Sequence, residues 1–173
     1  MRHVLIADVE DRPGVLNRIA SLFRKRAYNI ESLAVGHSHR PGISRMTIVV
    51  AADHKEALQV AKQLDKLIEV VSVTDVTEQR HVSREMALAK VAAPEMKRTE
   101  ILQLANVYRA QVVDVSPGSI ILEITGDEDK IDSFVEILRP YGILELTRTG
   151  AVAMVRGRAM PTPTVLAKEG PAA

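Results

Sequence analysis

The spacing of apolar residues changes period several times along the first half of the chain, and each change marks an element. Residues 3–9 form a mostly apolar run of strand length. From 13 to 26 the spacing becomes helical: Val15, Leu16, Ile19, Leu22 and Phe23 recur every three or four positions, and Arg18, Arg24 and Lys25 take the opposite face. Strand-like segments return at 30–38 and 44–52, on either side of a His-Arg-Pro-Gly loop at 39–42. Asp53 followed by Glu56 spells a capping box, and Ala57, Leu58, Ala61 and Leu64 continue behind it at helical spacing. Val70, Val71, Val73 and Val76 then read as a β-branched strand.

The second half repeats this order without repeating the residues. The pattern predicts a strand at 84–92, a helix at 95–109, strands at 111–115 and 119–126 around Ser116, Pro117 and Gly118, a helix at 128–138 and a strand at 143–149. A further short strand is expected at 151–156. Strand, helix, strand, strand, helix, strand with two crossovers yields a four-stranded antiparallel sheet carrying both helices on one face. The expected fold class is therefore α+β, two ferredoxin-like βαββαβ domains. The boundaries read as 1–77 for the first domain, 78–83 for a linker, 84–158 for the second domain and 159–173 for a mobile tail rich in Pro, Gly and Ala.

Composition narrows the function classes. At 173 residues and 46% hydrophobic content the chain can supply a core for each of two small domains. A formal net charge of +1 argues against an electrostatic grip on nucleic acid or anionic membrane. The absence of Cys removes disulfides, thiolate catalysis and Cys-ligated zinc. No segment approaches the roughly twenty apolar residues that span a bilayer, and the start lacks a signal-peptide core, so the cytoplasm is the expected compartment.

The stretch from Asp8 to Ala34 carries the most chemistry. Pro13 is pre-set for a first helical turn, and Gly14, lacking Cβ, lets a ligand approach the free N–H groups of the helix. A helix N-terminus favours an anion such as a carboxylate without a Lys or Arg. Asn29, just before the next strand, can donate and accept; Asp11 can accept from an ammonium; Val15, Leu16 and Ile30 offer apolar contact. That inventory fits a free amino acid. Taken alone, the turn reads more readily as ordinary helix punctuation, with Asp11 as a cap. In the second half Ala93, Pro94 and Glu95 replace the Pro-Gly turn. A Glu there repels a ligand carboxylate, so only the first domain is expected to hold the amino acid.

Other chemistries find little support. Of the five histidines only His37 and His39 lie close together, and without Cys or a carboxylate pattern they read as a surface pair, not a metal site. No nucleophile elbow, metalloprotease helix or phosphate-binding glycine loop is present, so neither catalysis nor a cofactor is expected on this chain. Arg24, Lys25 and Arg26 suit a solvated helix C-terminus. Ferredoxin-like sheets can bind RNA by stacking bases on strand aromatics, but Ser44–Val50 has none, and the chain holds two Phe, three Tyr and no Trp. An exposed strand edge needs a partner, so dimerisation through the first domain is expected with or without ligand.

The segments PGVLNRIASLF, YNIESLAVG and SRMTI, with HVSREMALAKV, QVVDVSPGSIILEITG and TRTGAVAMVRG further on, closely resemble the regulatory small subunits of acetolactate synthase (acetohydroxyacid synthase), across nearly the whole chain. The resemblance implies that the first domain is an ACT domain, which pairs side by side with that of a second copy. A branched-chain amino acid, chiefly valine, would bind at that interface. Carried over by position, Gly14, Val15 and Leu16 would supply backbone N–H groups and apolar contact, Asn17 would flank the site, and Asn29 and Ile30 of the neighbouring copy would complete it. Asp11 stands where relatives often carry Asn; a carboxylate accepts from an ammonium but cannot donate to a carboxylate. The resemblance also implies no chemistry on this chain. Its expected partner is the catalytic large subunit, with thiamine diphosphate, FAD and Mg2+, which it would activate and make sensitive to end products. The alternative is a free-standing ACT-type amino-acid sensor acting on another enzyme or regulator.

Overall fold

Two hydrophobic cores form because each half of the chain buries one face of its own sheet under its own pair of helices. The computed structural model describes residues 1–157; the tail expected at 159–173 lies outside them. In the first unit the elements are β1 (Arg2–Glu10), α1 (Val15–Lys25), β2 (Ile30–His37), β3 (Ile43–Ala51), α2 (His54–Asp65) and β4 (Val70–Asp75). The strands lie in the order β2-β3-β1-β4, with every pairing antiparallel. Leu5, Ala7 and Val9 of β1 and Met46, Ile48 and Val50 of β3 form one face, and Val15, Ile19 and Phe23 of α1 and Ala57, Val60, Ala61 and Leu64 of α2 cover it. Burying so much apolar area is the main drive to fold, at about 25 cal/mol per Å².

The capping box read from the sequence is formed. Asp53 Oδ1 accepts from the Glu56 N–H at 2.8 Å, and Glu56 Oε2 accepts from the Asp53 N–H at 2.9 Å. Asp53→Ala removes one of these bonds and disorganises the other, so a loss of about 1 kcal/mol in urea unfolding is expected. One histidine is a core group that the sequence pattern did not expose: His3 is only 2% exposed, with Nδ1 3.1 Å from Asp75 Oδ2, tying the start of β1 to the end of β4.

The second unit holds β5 (His81–Ala92), α3 (Glu95–Tyr108), β6 (Gln111–Ser116), β7 (Ser119–Gly126), α4 (Glu128–Leu138), a 3-10 turn over Arg139–Tyr141, and β8 (Ile143–Arg148). Its strand order, β6-β7-β5-β8, repeats that of the first sheet. Ala87, Ala89 and Val91 pack with Ile120, Leu122 and Ile124 beneath Ile101, Ile131, Phe134 and Leu138. The two ferredoxin-like units are thus alike in topology.

The boundaries differ from those read in the sequence. β5 begins at His81, inside the segment expected to be a linker, and the second compact unit spans Ser83–Gly150 instead of 84–158. The last strand, β9 (Val152–Val155), belongs to the first unit and pairs with β5, whose opening residues His81 and Val82 also lie there. Its reason for returning is apolar. Val4, Ile6 and Val76 leave a hydrophobic strip on the helix-free side of the first sheet, and Ala153 and Val155 cover it. Its backbone finds partners as well: the Ala151 N–H donates to Ser32 Oγ at 2.8 Å and the Ala153 N–H to Thr47 Oγ1 at 3.3 Å.

Candidate ligand-binding site

The turn between β1 and α1 is built by two residues with opposite backbone demands. The Val15 N–H reaches the Arg12 carbonyl at 3.4 Å, with Pro13 and Gly14 in the middle, and Gly14 has φ +89° and ψ −13°. These are the marks of a type II turn, which takes Pro at its second position and needs Gly at its third. Pro13 therefore shapes the turn and does not open the helix as its sequence position had implied; α1 starts at Val15 because a positive φ at Gly14 cannot be helical. Among the described residues no side chain caps this helix, and no acidic residue stands in its first turn. The N–H groups of Leu16 and Asn17 have no carbonyl one turn back within the helix, so they are the donors an anion would meet.

The side chains around the turn divide differently from the sequence reading. Val15 is buried in the core, so it can offer a ligand only its backbone. Leu16, expected on the core face, is 49% exposed and is the apolar surface that remains at the turn. Asn17 is exposed and lines a groove between α1 and α2 with Ser21, Leu22 and Gln63. Asp11 does not cap the helix: its N–H donates to the Gly42 carbonyl at 2.8 Å, and its Oδ2 lies 3.1 Å from His37 Nδ1. His37, read in the sequence as half of a surface pair with His39, is thus the partner of Asp11.

Asn29 and Ile30 are elsewhere in the same chain. Asp11 is tied to His37, the last residue of β2, whereas Asn29 precedes Ile30, its first. A strand of this length separates them by about 23 Å. Asn29 is exposed, while Ile30 packs partly against the first core. No single copy brings the expected ligand residues together. Among the described residues the strand linking the two groups, β2, is an edge strand, paired by β3 on one side.

The same place in the second unit is shut by a side chain. Arg98, the fourth residue of α3, directs Nη2 to the carbonyls of Pro117 at 2.8 Å, Ser116 at 3.1 Å and Ala93 at 3.4 Å, bridging the β5–α3 turn and the β6–β7 hairpin. Arg18, the fourth residue of α1, instead turns to Glu69, leaving its own turn open. The difference between the halves thus rests on where one arginine points, in addition to Glu95 in the first turn of α3. The only sequence signal was an arginine at the same helical position in both halves.

The family model for the AHAS small subunit-like ACT domain matches residues 5–72, and that for the small subunit of acetolactate synthase matches residues 84–157. A probable acetolactate synthase small subunit from Archaeoglobus fulgidus is 55% identical over 157 residues, which is 91% of this chain and 98% of that protein. The chain belongs to the acetolactate synthase small-subunit family. The acetolactate synthase small subunit of Bacillus subtilis is 48% identical over 91% of this chain and 92% of its own. The crystal structure of the small subunit from Thermotoga maritima superposes with a TM-score of 0.85 at 41% identity, covering 91% of this chain and 98% of that one. As an acetolactate synthase small subunit the chain is regulatory, works in branched-chain amino acid biosynthesis and has a large catalytic subunit as its partner, where the family's catalysis and cofactors reside. Among the described residues no group of three or more His, Asp or Glu side chains is placed to hold a metal ion, and no helix is long and apolar enough to cross a membrane.

Proposed function

We propose that this chain activates the acetolactate synthase catalytic subunit and renders it inhibitable by valine, bound between two copies of the first unit. The observation that carries the reading is the separation of the two residue groups along β2. In a two-fold pairing of β2 with β2 of a second copy the strands run antiparallel, so the His37 end of one meets the Asn29 end of the other. Asp11, Gly14, Val15, Leu16 and Asn17 of one copy then face Asn29 and Ile30 of its partner, and the site occurs twice. The same pairing satisfies the open edge of β2.

In that site the first N–H groups of α1 receive the ligand carboxylate, Asp11 accepts from its ammonium, and Leu16 lies against its aliphatic side chain. Valine binds both copies at once and favours one arrangement of the pair. Regulation follows only if the catalytic subunit prefers a different arrangement; a coupling of about 1–3 kcal/mol corresponds to roughly 5–150-fold in affinity. The thiamine diphosphate, FAD and Mg2+ needed for acetolactate formation act on the catalytic subunit in the cytoplasm.

The test is acetolactate formation by the cognate catalytic subunit, with and without this chain, across a valine titration. Stimulation without valine and inhibition with it support the reading. Stimulation indifferent to valine keeps the activator and removes the feedback, and no stimulation replaces both with a free-standing amino-acid sensor.

A further inference from the structure

The helix-free side of the first sheet carries a cavity of about 220 Å³ that the valine reading does not use. Its floor is made of small residues. Ala34 lies opposite Thr47 and Gly36 opposite Arg45 in the β2–β3 pairing, and Val152 and Met154 of β9 form a wall. The opening is real space: a Cβ placed on Gly36 would meet no atom within 4 Å. Thr47 Oγ1 receives the Ala153 N–H from β9, so the strand that covers the neighbouring apolar strip also bounds the cavity. The Asp11–Asn17 turn leads into α1 on the other side of the sheet.

One charged group dominates the lining. Arg45 has five N–H donors, and its protein partner is Asp8, at 3.4 Å from Nη1. Asp8 is more closely engaged by Arg40 Nη2 at 2.6 Å. Among the described residues two guanidinium groups share one carboxylate, which leaves Arg45 with donors that no described residue fills, beside an apolar wall. Val152 and Met154 are 57% and 65% exposed, a large apolar surface to leave at a cavity mouth.

We propose that this cavity is a second small-ligand site, which takes an aliphatic monocarboxylate with its carboxylate on Arg45 and its alkyl chain against Val152 and Met154. Arginine forks onto carboxylates with two parallel hydrogen bonds, and a few polar groups in an apolar pocket fix orientation. The volume suits a short branched acid. A free amino acid is disfavoured, because its ammonium would sit beside the Arg45 charge while Asp8, the nearby carboxylate, is already bonded to both arginines.

The experiment is a titration of the full-length, isotopically labelled protein with 3-methylbutanoate, followed by amide chemical shifts, with 3-methylbutanol as the uncharged counterpart and valine as the amino acid. The acid is expected to move the amides of Ala34, Gly36, Thr47 and Ala153 with a dissociation constant on the order of 1 mM, within the ceiling for so few ligand atoms. The alcohol leaves them unmoved. Arg45→Gln weakens the acid by about tenfold or more, and Arg45→Lys, which keeps the charge without the fork, falls between. Gly36→Val fills the space at a position with no positive φ and abolishes binding while the spectrum of the first unit stays folded. The proposal is overturned if the acid moves only Asp11–Asn17, if Arg45→Gln binds it unchanged, if alcohol and acid behave alike, or if no shift appears. Valine shifts at Asp11–Asn17 that persist in Arg45→Gln keep the two sites distinct.

Discussion

Gly14→Asp is expected to raise the valine concentration for half inhibition about a hundredfold or more while leaving stimulation of the catalytic subunit in place. Two effects add. A non-glycine residue at φ +89° is strained by about 1–2 kcal/mol, because its Cβ crowds the carbonyl. There is room for the side chain, since an added Cβ meets nothing within 4 Å, so the fold tolerates the change. The new carboxylate stands at the N–H groups meant for the ligand's own. Like charges brought together cost several kcal/mol, and each 1.4 kcal/mol is a factor of ten. Gly14→Asn separates the causes: Asn tolerates positive φ better and carries no charge, so it should lose far less. Thermal unfolding supplies a second readout, because saturation at a hundred times the dissociation constant stabilises the native state by about 2.7 kcal/mol. Wild type should gain that increment and Gly14→Asp should not. Valine inhibition retained in Gly14→Asp removes the turn from the site.

Phe134→Ala is the substitution with the largest expected effect on stability. Phe134, on the buried face of α4, is fully buried, its ring 5.1 Å from that of Tyr108, in a core confined to the second unit. Truncating a buried phenylalanine costs about 3–5 kcal/mol, through lost transfer energy and the cavity left behind. In a unit of this size that corresponds to a fall in melting temperature of roughly 12–40 °C. The first unit has its own core, so the loss should be local. Native-state hydrogen exchange reads this directly: amides of Ile120, Leu122 and Ile124 should lose protection while those of Ile48 and Val50 keep theirs. Parallel loss in both groups would mean that the units do not unfold independently.

Neighbouring residues explain why so much of the fold was legible. A helix period, a strand period, a Pro-Gly turn and a capping box each lie within a window of about a dozen residues, and binary patterning acts over that range. The strands and helices consequently stand where the periodicity places them, to within a few residues. Leu16 is an instructive miss. It shares helical spacing with Val15 and Ile19, but α1 buries its face at Val15, Ile19 and Phe23, and Leu16 falls beyond that stripe. A run of apolar residues at a helix start does not say which of them the sheet reaches.

The chain's local pattern was enough to specify two βαββαβ units and the Pro-Gly turn between β1 and α1. It places Pro13 inside the helix and Asp11 at its cap, whereas the structure starts α1 at Val15 with Asp11 turned to Gly42 and His37. Long-range packing settled the rest. β9 returns to the first sheet through hydrogen bonds from Ala151, just before it, to Ser32 and from its own Ala153 to Thr47, partners more than a hundred positions away. Arg98 closes the second turn whereas Arg18 leaves the first one open, although both occupy the fourth position of their helix. Asp11 and Asn29 sit at opposite ends of an edge strand. Periodicity encodes which face of an element is buried; it holds no information on which distant surface buries it, because that depends on the combined apolar area and unpaired N–H groups of several elements at once.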